Sequence, residues 1–268
     1  MDAPSRRAYV GSGGVCYNQR MMRPSGFRGL RLGRDTIFWL VVGGLFLLYG
    51  VFRLGVVGLL TALGALLVAI TVHECAHAWA AERLGDPTAR YLGRVSLNPI
   101  VHLDPMGTVM MALTTVTGMG IGWGKPVPVS THRLRYGPRL GNGIVALAGP
   151  AANLTTALVL GLVVRLLPPA FYGLGGVLVS VALTNIVIAM FNLLPIPPLD
   201  GSSVLLGLLS LSRARWAWQV SQFMYALQRR GPMVLILVII LTQFLGINLI
   251  GWLIGPPTRL LFRVIVGA

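Results

Sequence analysis

Leu54–His77 reads LGVVGLLTALGALLVAITVHECAH, a run free of charge and proline up to Val72 that ends in His73-Glu74-Cys75-Ala76-His77. A stretch of this length and composition can cross a bilayer as a helix, and ionisable groups placed in such a helix are costly unless they serve a purpose. Two histidines four positions apart share one helix face. Both imidazoles can therefore reach one Zn²⁺, and the intervening Glu74 can take a proton from a water activated there. The pattern points to peptide-bond hydrolysis at or below a membrane surface. Cys75 falls away from the histidine face of a regular helix and reads as a small apolar filler.

The rest of the chain has the same character. Of 268 residues 55% are hydrophobic and only 11% charged, with a mean hydropathy of +0.76, which excludes an ordinary soluble domain and indicates an all-α polytopic membrane protein. Apolar segments fall at Ile37–Phe52, Leu54–Ala81, Met106–Trp123, Gly141–Val164, Phe171–Leu194 and Pro232–Ile254, with a shorter one at Val204–Leu211. About five to six transmembrane helices are expected. Only Arg53 and a glycine turn separate the first two segments, so they read as a tight helical hairpin.

The formal charge of +15 is almost wholly arginine, Lys125 being the only lysine, and the arginines gather between the apolar runs. That distribution fits positive-inside topology and anionic headgroups. A nucleic-acid partner is not expected, because no basic soluble domain is present. Residues 1–34 carry seven arginines and no apolar stretch of signal-peptide length. They are expected to be a disordered, basic, cytoplasmic N-terminal segment, leaving 35–268 as the membrane domain.

Met106–Trp123 is rich in threonine, valine and glycine and poor in strong helix formers. If it spanned, the loop holding Lys125, Arg133, Arg135 and Arg139 would lie outside, against the positive-inside rule, and Asp200 would end across the bilayer from the histidines. A re-entrant, strand-like element after the HExxH helix avoids both conflicts.

Catalytic zinc usually takes three protein ligands, and few remain to choose from. Glu74 and Glu82 are the only glutamates, and Asp200 is the only acid in the final 164 positions. Asp200 closes Asn192-Leu-Leu-Pro195-Ile-Pro197-Pro198-Leu-Asp200-Gly201, where three prolines disfavour helix. On residue type alone it is either a third ligand or the N-cap of Ser202–Leu211. His102 and Asp104, in Asn98-Pro99-Ile-Val-His102-Leu-Asp104-Pro105, read as turn-capping residues. Arg213–Arg230 interleaves arginines with Trp216, Trp218, Phe223 and Tyr225, as a connection with aromatic anchors would.

With HExxH in one span and Asn-x-x-Pro-x-x-x-Leu-Asp-Gly ending a later one, the chain resembles the site-2 protease family of intramembrane zinc metalloproteases. Leu84-Gly85-Asp86-Pro87-Thr88-Ala89, Asn98–Pro105, Gly122-Trp123-Gly124-Lys125-Pro126-Val127-Pro128 and Ala148-Gly149-Pro150-Ala151-Ala152-Asn153 look like its compact bacterial branch. The resemblance implies one Zn²⁺ held by His73, His77 and Asp200, with Glu74 as catalytic base, in a multi-pass protein of the cytoplasmic (inner) membrane whose substrates are transmembrane proteins. It also makes Asn153 and Asn192 candidate substrate contacts, Asn153 alternatively bridging two helices. No PDZ or nucleotide-sensing domain is expected. A substrate helix must unwind to expose its peptide bonds, and segments 106–123 and 195–199 are the expected strand partners. The competing class is a non-catalytic metal-binding membrane protein, a transporter or a pseudoprotease. A transporter would carry further intramembrane acids or histidines along a path, and this chain has almost none.

Overall fold

The computed structural model describes residues 34–117, 124–246 and 248–267. Residues 1–33, where the basic N-terminal segment is expected, lie outside them. Helices follow one another as α1 (Arg34–Arg83), α2 (Thr88–Tyr91), α3 (Pro105–Thr117), α4 (Gly137–Leu166), α5 (Tyr172–Asn192), α6 (Asp200–Leu209), α7 (Arg215–Gln228), α8 (Gly231–Phe244) and α9 (Leu249–Val266). The described residues up to Gly44 and those from Leu45 onward belong to separate units, and the polar cluster described below lies wholly in the second.

The chain is an all-α polytopic membrane protein. Among the described residues four helices are long and apolar enough to cross a membrane: Leu48–Arg83, Gly137–Leu166, Pro169–Asn192 and Leu249–Val266. The remaining long apolar runs are distributed otherwise. Ile37–Phe52 precedes a break in α1 at Gly55, whose φ of 69° and ψ of 163° are not helical and suit glycine. The chain doubles back there: a Cβ on Gly50 would sit 3.4 Å from Leu59 Cδ2, whereas nine residues of straight helix rise ~13.5 Å. Pro232–Ile254 is divided at Gly246, where φ is 65°, between the short α8 and the start of α9.

The strand-like expectation for Met106–Trp123 is corrected. Residues 105–117 are helical, 118–123 lie outside the described residues, and no strand occurs among those described. Local hydrogen bonding overrides β-propensity here. Asp104 caps the helix by accepting from Gly107 N–H at 2.8 Å. Thr108, Thr114 and Thr115 return their hydroxyls to the carbonyls of Asp104, Met110 and Met111, so none is left unsatisfied in an apolar setting. At thirteen residues α3 is ~20 Å long, short of a ~30 Å hydrocarbon core. The residues flanking the segment are drawn together: Leu103 and Gly124 form an isolated antiparallel bridge, and Lys125 N–H donates to His102 O at 2.7 Å. The segment therefore leaves and returns at one neck, and it is helical over residues 105–117.

Helices α4, α5, α6 and α9 pack closely through small residues. A Cβ on Gly143 would come within 3.0 Å of Gly207 Cα, so α4 and α6 meet backbone to backbone. Ala157, Ala182, Ile186, Ile265 and Val266 form the core joining α4, α5 and α9. In lipid such contacts hold helices together by van der Waals packing rather than by exclusion of water.

The basic loop after the neck is tied to the end of α1 by Asp86, which is fully buried. Its carboxylate accepts from Thr88 N–H, Thr88 Oγ1–H and Ser130 N–H at 3.1, 2.5 and 2.6 Å. Burial alone would raise the Asp86 carboxyl; the Thr88 and Ser130 hydrogen bonds and the Arg133 charge outweigh it and hold the group below the usual carboxylate range. Arg135 N–H donates to Leu84 O at 2.9 Å beside it. The C-terminal end of α1 and the N-terminal end of α4 thus lie together, with Ala80, Ala81, Leu134 and Val145 packed between them.

Candidate metal centre

The regular α-helix over residues 73–77 puts His73 and His77 on one face, with ring centroids 4.6 Å apart and planes at 87°. Both are buried. Asp200 reaches them from the start of α6, its Oδ2 lying 2.9 Å from His73 Nε2 and 3.2 Å from His77 Nε2. The ligating atoms of the three residues all fall within 4.8 Å of one another. The capping alternative for Asp200 is not what the fold uses: Leu199 occupies the cap position of α6 without a side-chain cap, and the carboxylate faces the histidines.

A tight return of the chain makes this approach possible. A Cβ on Gly201 would lie 2.2 Å from Leu193 O, so only glycine lets the end of α5 fold over the start of α6 at that point.

Each histidine is oriented through its other nitrogen. His73 Nδ1–H donates to Asn153 Oδ1 at 3.1 Å, and His77 Nδ1–H donates to Val145 O at 2.8 Å. Both Nε2 lone pairs are thereby left facing Asp200, the arrangement metal-ligating histidines normally show. Pro150 contributes indirectly. Lacking an N–H, it cannot donate to the carbonyl of Ala146, four residues earlier and next to the Val145 carbonyl that His77 uses.

Two imidazoles and a carboxylate fit a zinc ion, whose tetrahedral donors at ~2.1 Å stand ~3.4 Å apart; the Nε2 to Oδ2 separations of 2.9 and 3.2 Å are slightly shorter, so small side-chain movements that open the cluster would admit an ion. Gly149 sets the roof. A Cβ there would lie 2.5 Å from His77 Nε2 and 2.8 Å from His73 Cε1, so α4 can cover the imidazoles only because this residue has no side chain.

Glu74, half-buried, points to the neck: a Cβ on Gly124 would be 3.3 Å from both Glu74 Oε1 and His102 O. His102 is fully buried there and donates from Nε2 to Ser96 O at 2.7 Å. It is part of the neck's interior rather than a turn cap, whereas Asp104 does cap α3.

Both asparagines make hydrogen bonds within the protein. Asn153 is fully buried, and both ends of its amide are in use, Nδ2 donating to Ala69 O at 3.2 Å and Oδ1 accepting from His73. It bridges α1 and α4 and holds His73. Asn192 donates Nδ2 to Ile188 O at 3.0 Å within its own helix. Sequence reasoning passed over Gly149 and the Val145 carbonyl as site elements. Their signal was the Gly149-Pro-x-x-Asn153 spacing, which puts the roof glycine and the positioning amide on one face of α4.

A family model described as Peptidase family M50 matches residues 169–238, the segment that contains Asp200. Among curated proteins, the chain is 40% identical over 149 residues to "Putative zinc metalloprotease YwhC" of Bacillus subtilis, covering 52% of this chain and 65% of that protein. It is 35% identical over 141 residues to "Putative zinc metalloprotease Rip2" of Mycolicibacterium smegmatis, 52% of this chain and 53% of the relative. With the protein of that name in Mycobacterium tuberculosis H37Rv it shares 32% identity over 191 residues, 70% of this chain and 68% of the relative. The matched part thus spans between about half and two thirds of the curated relatives. No solved structure matches the chain. The fold and the site define a membrane-embedded protein with a metalloprotease-type centre. The chain belongs to peptidase family M50, the site-2 protease family.

Proposed function

We propose that residues 35–268 form an intramembrane zinc metalloprotease domain that hydrolyses peptide bonds within or near transmembrane segments of membrane-protein substrates. The observation that carries this reading is the convergence of Asp200 Oδ2 on the Nε2 atoms of His73 and His77, next to a glutamate on the same membrane-spanning helix. His73, His77 and Asp200 would hold one Zn²⁺, which supplies a Lewis acid that polarises a peptide carbonyl and acidifies a water. Glu74 lies between the two histidine ligands in sequence, so its carboxylate can accept a proton from the attacking water and return it to the leaving amine. Asn153 and Val145 keep the imidazoles in the tautomer this requires.

Substrate pairing is better supported at the neck than along 106–123 or 195–199. The former is helical where described, and the latter turns on itself through Ile196 N–H to Leu194 O and Leu199 N–H to Ile196 O. Residues 125–130, by contrast, lie outside any helix and directly follow Gly124 at Glu74. The arginine-rich end of the spans, where the site lies, faces the cytoplasm in this reading, as does the N-terminus, in the inner membrane of a bacterium.

Glu74→Gln tests the reading. Cleavage of a transmembrane substrate in proteoliposomes is expected to fall by about 10²–10⁴-fold, with zinc content unchanged. Retained cleavage would remove Glu74 from the mechanism. Metal flux without cleavage in the same vesicles would indicate a transporter instead.

A further inference from the structure

Helix α7 buries one face, and another lacks a partner among the described residues. Ala217, Ser221 and Met224 are buried against the body. Trp216, Val220 and Phe223, at the same helical spacing one step round, are exposed, Trp216 by 59% and Phe223 by 63%. Exposed arginines flank the helix at Arg213, Arg215, Arg229 and Arg230. Gln222, Phe223, Tyr225, Leu227, Arg229 and Arg230 line a cavity of about 570 Å³ at the α7–α8 turn.

The position of this cavity in the membrane frame follows from Arg139, whose guanidinium lies 5.5 Å from the centroid of the Tyr225 ring. Arg139 belongs to the first turn of the spanning helix α4, so α7 lies level with the start of that span, at the boundary between hydrocarbon and headgroups. This is also the basic end, shared with Arg83, Arg133 and Arg135.

Charge accounting points to an external anion. Residues 45–268 contain five carboxylates. Asp200 faces the histidines, Glu82 pairs with Arg90, Asp86 holds Thr88 and Ser130, and Asp104 caps α3. Glu74 lies at the neck. Among the described residues none pairs with an arginine of α7 or its flanks. An aromatic stripe beside unpaired arginines at headgroup depth is complementary to a phospholipid, acyl chains along the stripe and phosphate in the cavity.

We propose that α7 and the Arg229–Arg230 turn form a binding site for an anionic phospholipid of the leaflet at the basic end of the spans. The site is distinct from the metal centre and does not depend on its chemistry.

The full chain, reconstituted in nanodiscs of equimolar phosphatidylglycerol and phosphatidylcholine and then partly delipidated, provides the test by native mass spectrometry of retained lipid. Wild type is expected to retain phosphatidylglycerol over phosphatidylcholine. The double variant R229Q/R230Q is expected to lower phosphatidylglycerol retention about 25-fold, about five-fold per arginine, leaving phosphatidylcholine retention unchanged. R259Q, on α9, serves as the control and leaves both unchanged. If the double variant does not fold, the single variants R229Q and R230Q carry the same comparison at about five-fold each. Equal retention of both lipids by wild type, or unchanged phosphatidylglycerol retention in the variants, overturns the proposal. So does binding of soluble glycerol phosphate as tight as that of the lipid, which would assign the cavity to a free phosphate compound.

Discussion

The end of α1 and the exposed side of α7 handle polar atoms in opposite ways. Around His73 and His77 the histidine Nδ1 protons and the Asn153 amide find partners inside the protein, and the Asp200 carboxylate faces the two Nε2 atoms. On α7 four exposed arginines flank an aromatic stripe with no carboxylate to meet them among the described residues. The difference follows from what lies outside each region. Polar groups held within packed spanning helices have no water to turn to, so unpaired ones are costly; at headgroup depth water and phosphate are present, and a cationic surplus can be left for the environment. Satisfaction within the chain therefore marks the groups that need fixed geometry.

Breaking the internal set should have the largest effect at Asp200. Asp200→Ala removes one of three donors and leaves two buried imidazoles facing a void, so zinc affinity should fall by more than the 10–100-fold that an outer-shell partner carries. Zinc content after dialysis against a weak chelator measures it, and full occupancy would return Asp200 to a structural role. Gly149→Ala comes next. Its methyl would intrude to 2.5 Å of His77 Nε2, where neither the α4 backbone nor a packed imidazole can yield cheaply. Zinc binding and cleavage should both be lost, whereas Gly173→Ala, with nothing within 4 Å, should leave both intact. A Gly149→Ala protein that binds zinc normally would show that α4 is not seated on the histidines.

Asn153→Ala sharpens the comparison because it touches no metal donor. It strips His73 Nδ1 and Ala69 O of their partner in a fully buried place, and should weaken zinc about 10–100-fold. Asn153→Asp, able to accept from His73, should recover part of that loss, while a merely space-filling role would be rescued better by Asn153→Leu. The zinc dissociation constants of the three variants decide between these outcomes.

Legibility in the sequence divides along the same line. His73, Glu74 and His77 are a local pattern whose geometry the helix alone dictates, so spacing suffices to read it. Asp200 lies 127 positions from His73, and residue type alone left ligand and cap open; the resemblance to the site-2 protease family favoured the ligand. The form of Met106–Trp123 was not readable. Threonine and valine suit strands as free residues, but Asp104 and three back-bonded hydroxyls hold 105–117 in helix, an outcome that depends on surroundings composition does not carry. Asn153 was recognisable as functional while its partner was not, because which atoms an amide faces depends on how α4 crosses α1.

The smallest effect expected belongs to Asp86, which shares the logic of the site but lies outside the spans. Its folded-state carboxyl titrates below the usual range, so the unfolded chain binds the proton more readily than the native one. The stability this contributes is present above the unfolded value, near pH 4, and is lost as pH falls through the lower folded value. Asp86→Asn removes that dependence and weakens the three hydrogen bonds that tie Ser130 to Thr88, at about 1–3 kcal/mol, or several degrees in the thermal midpoint. The gap between wild type and variant should be widest near pH 7 and narrow as the medium is acidified below pH 4. A gap that stayed constant down to pH 3 would mean that the carboxylate's charge contributes nothing to holding the basic loop against α1.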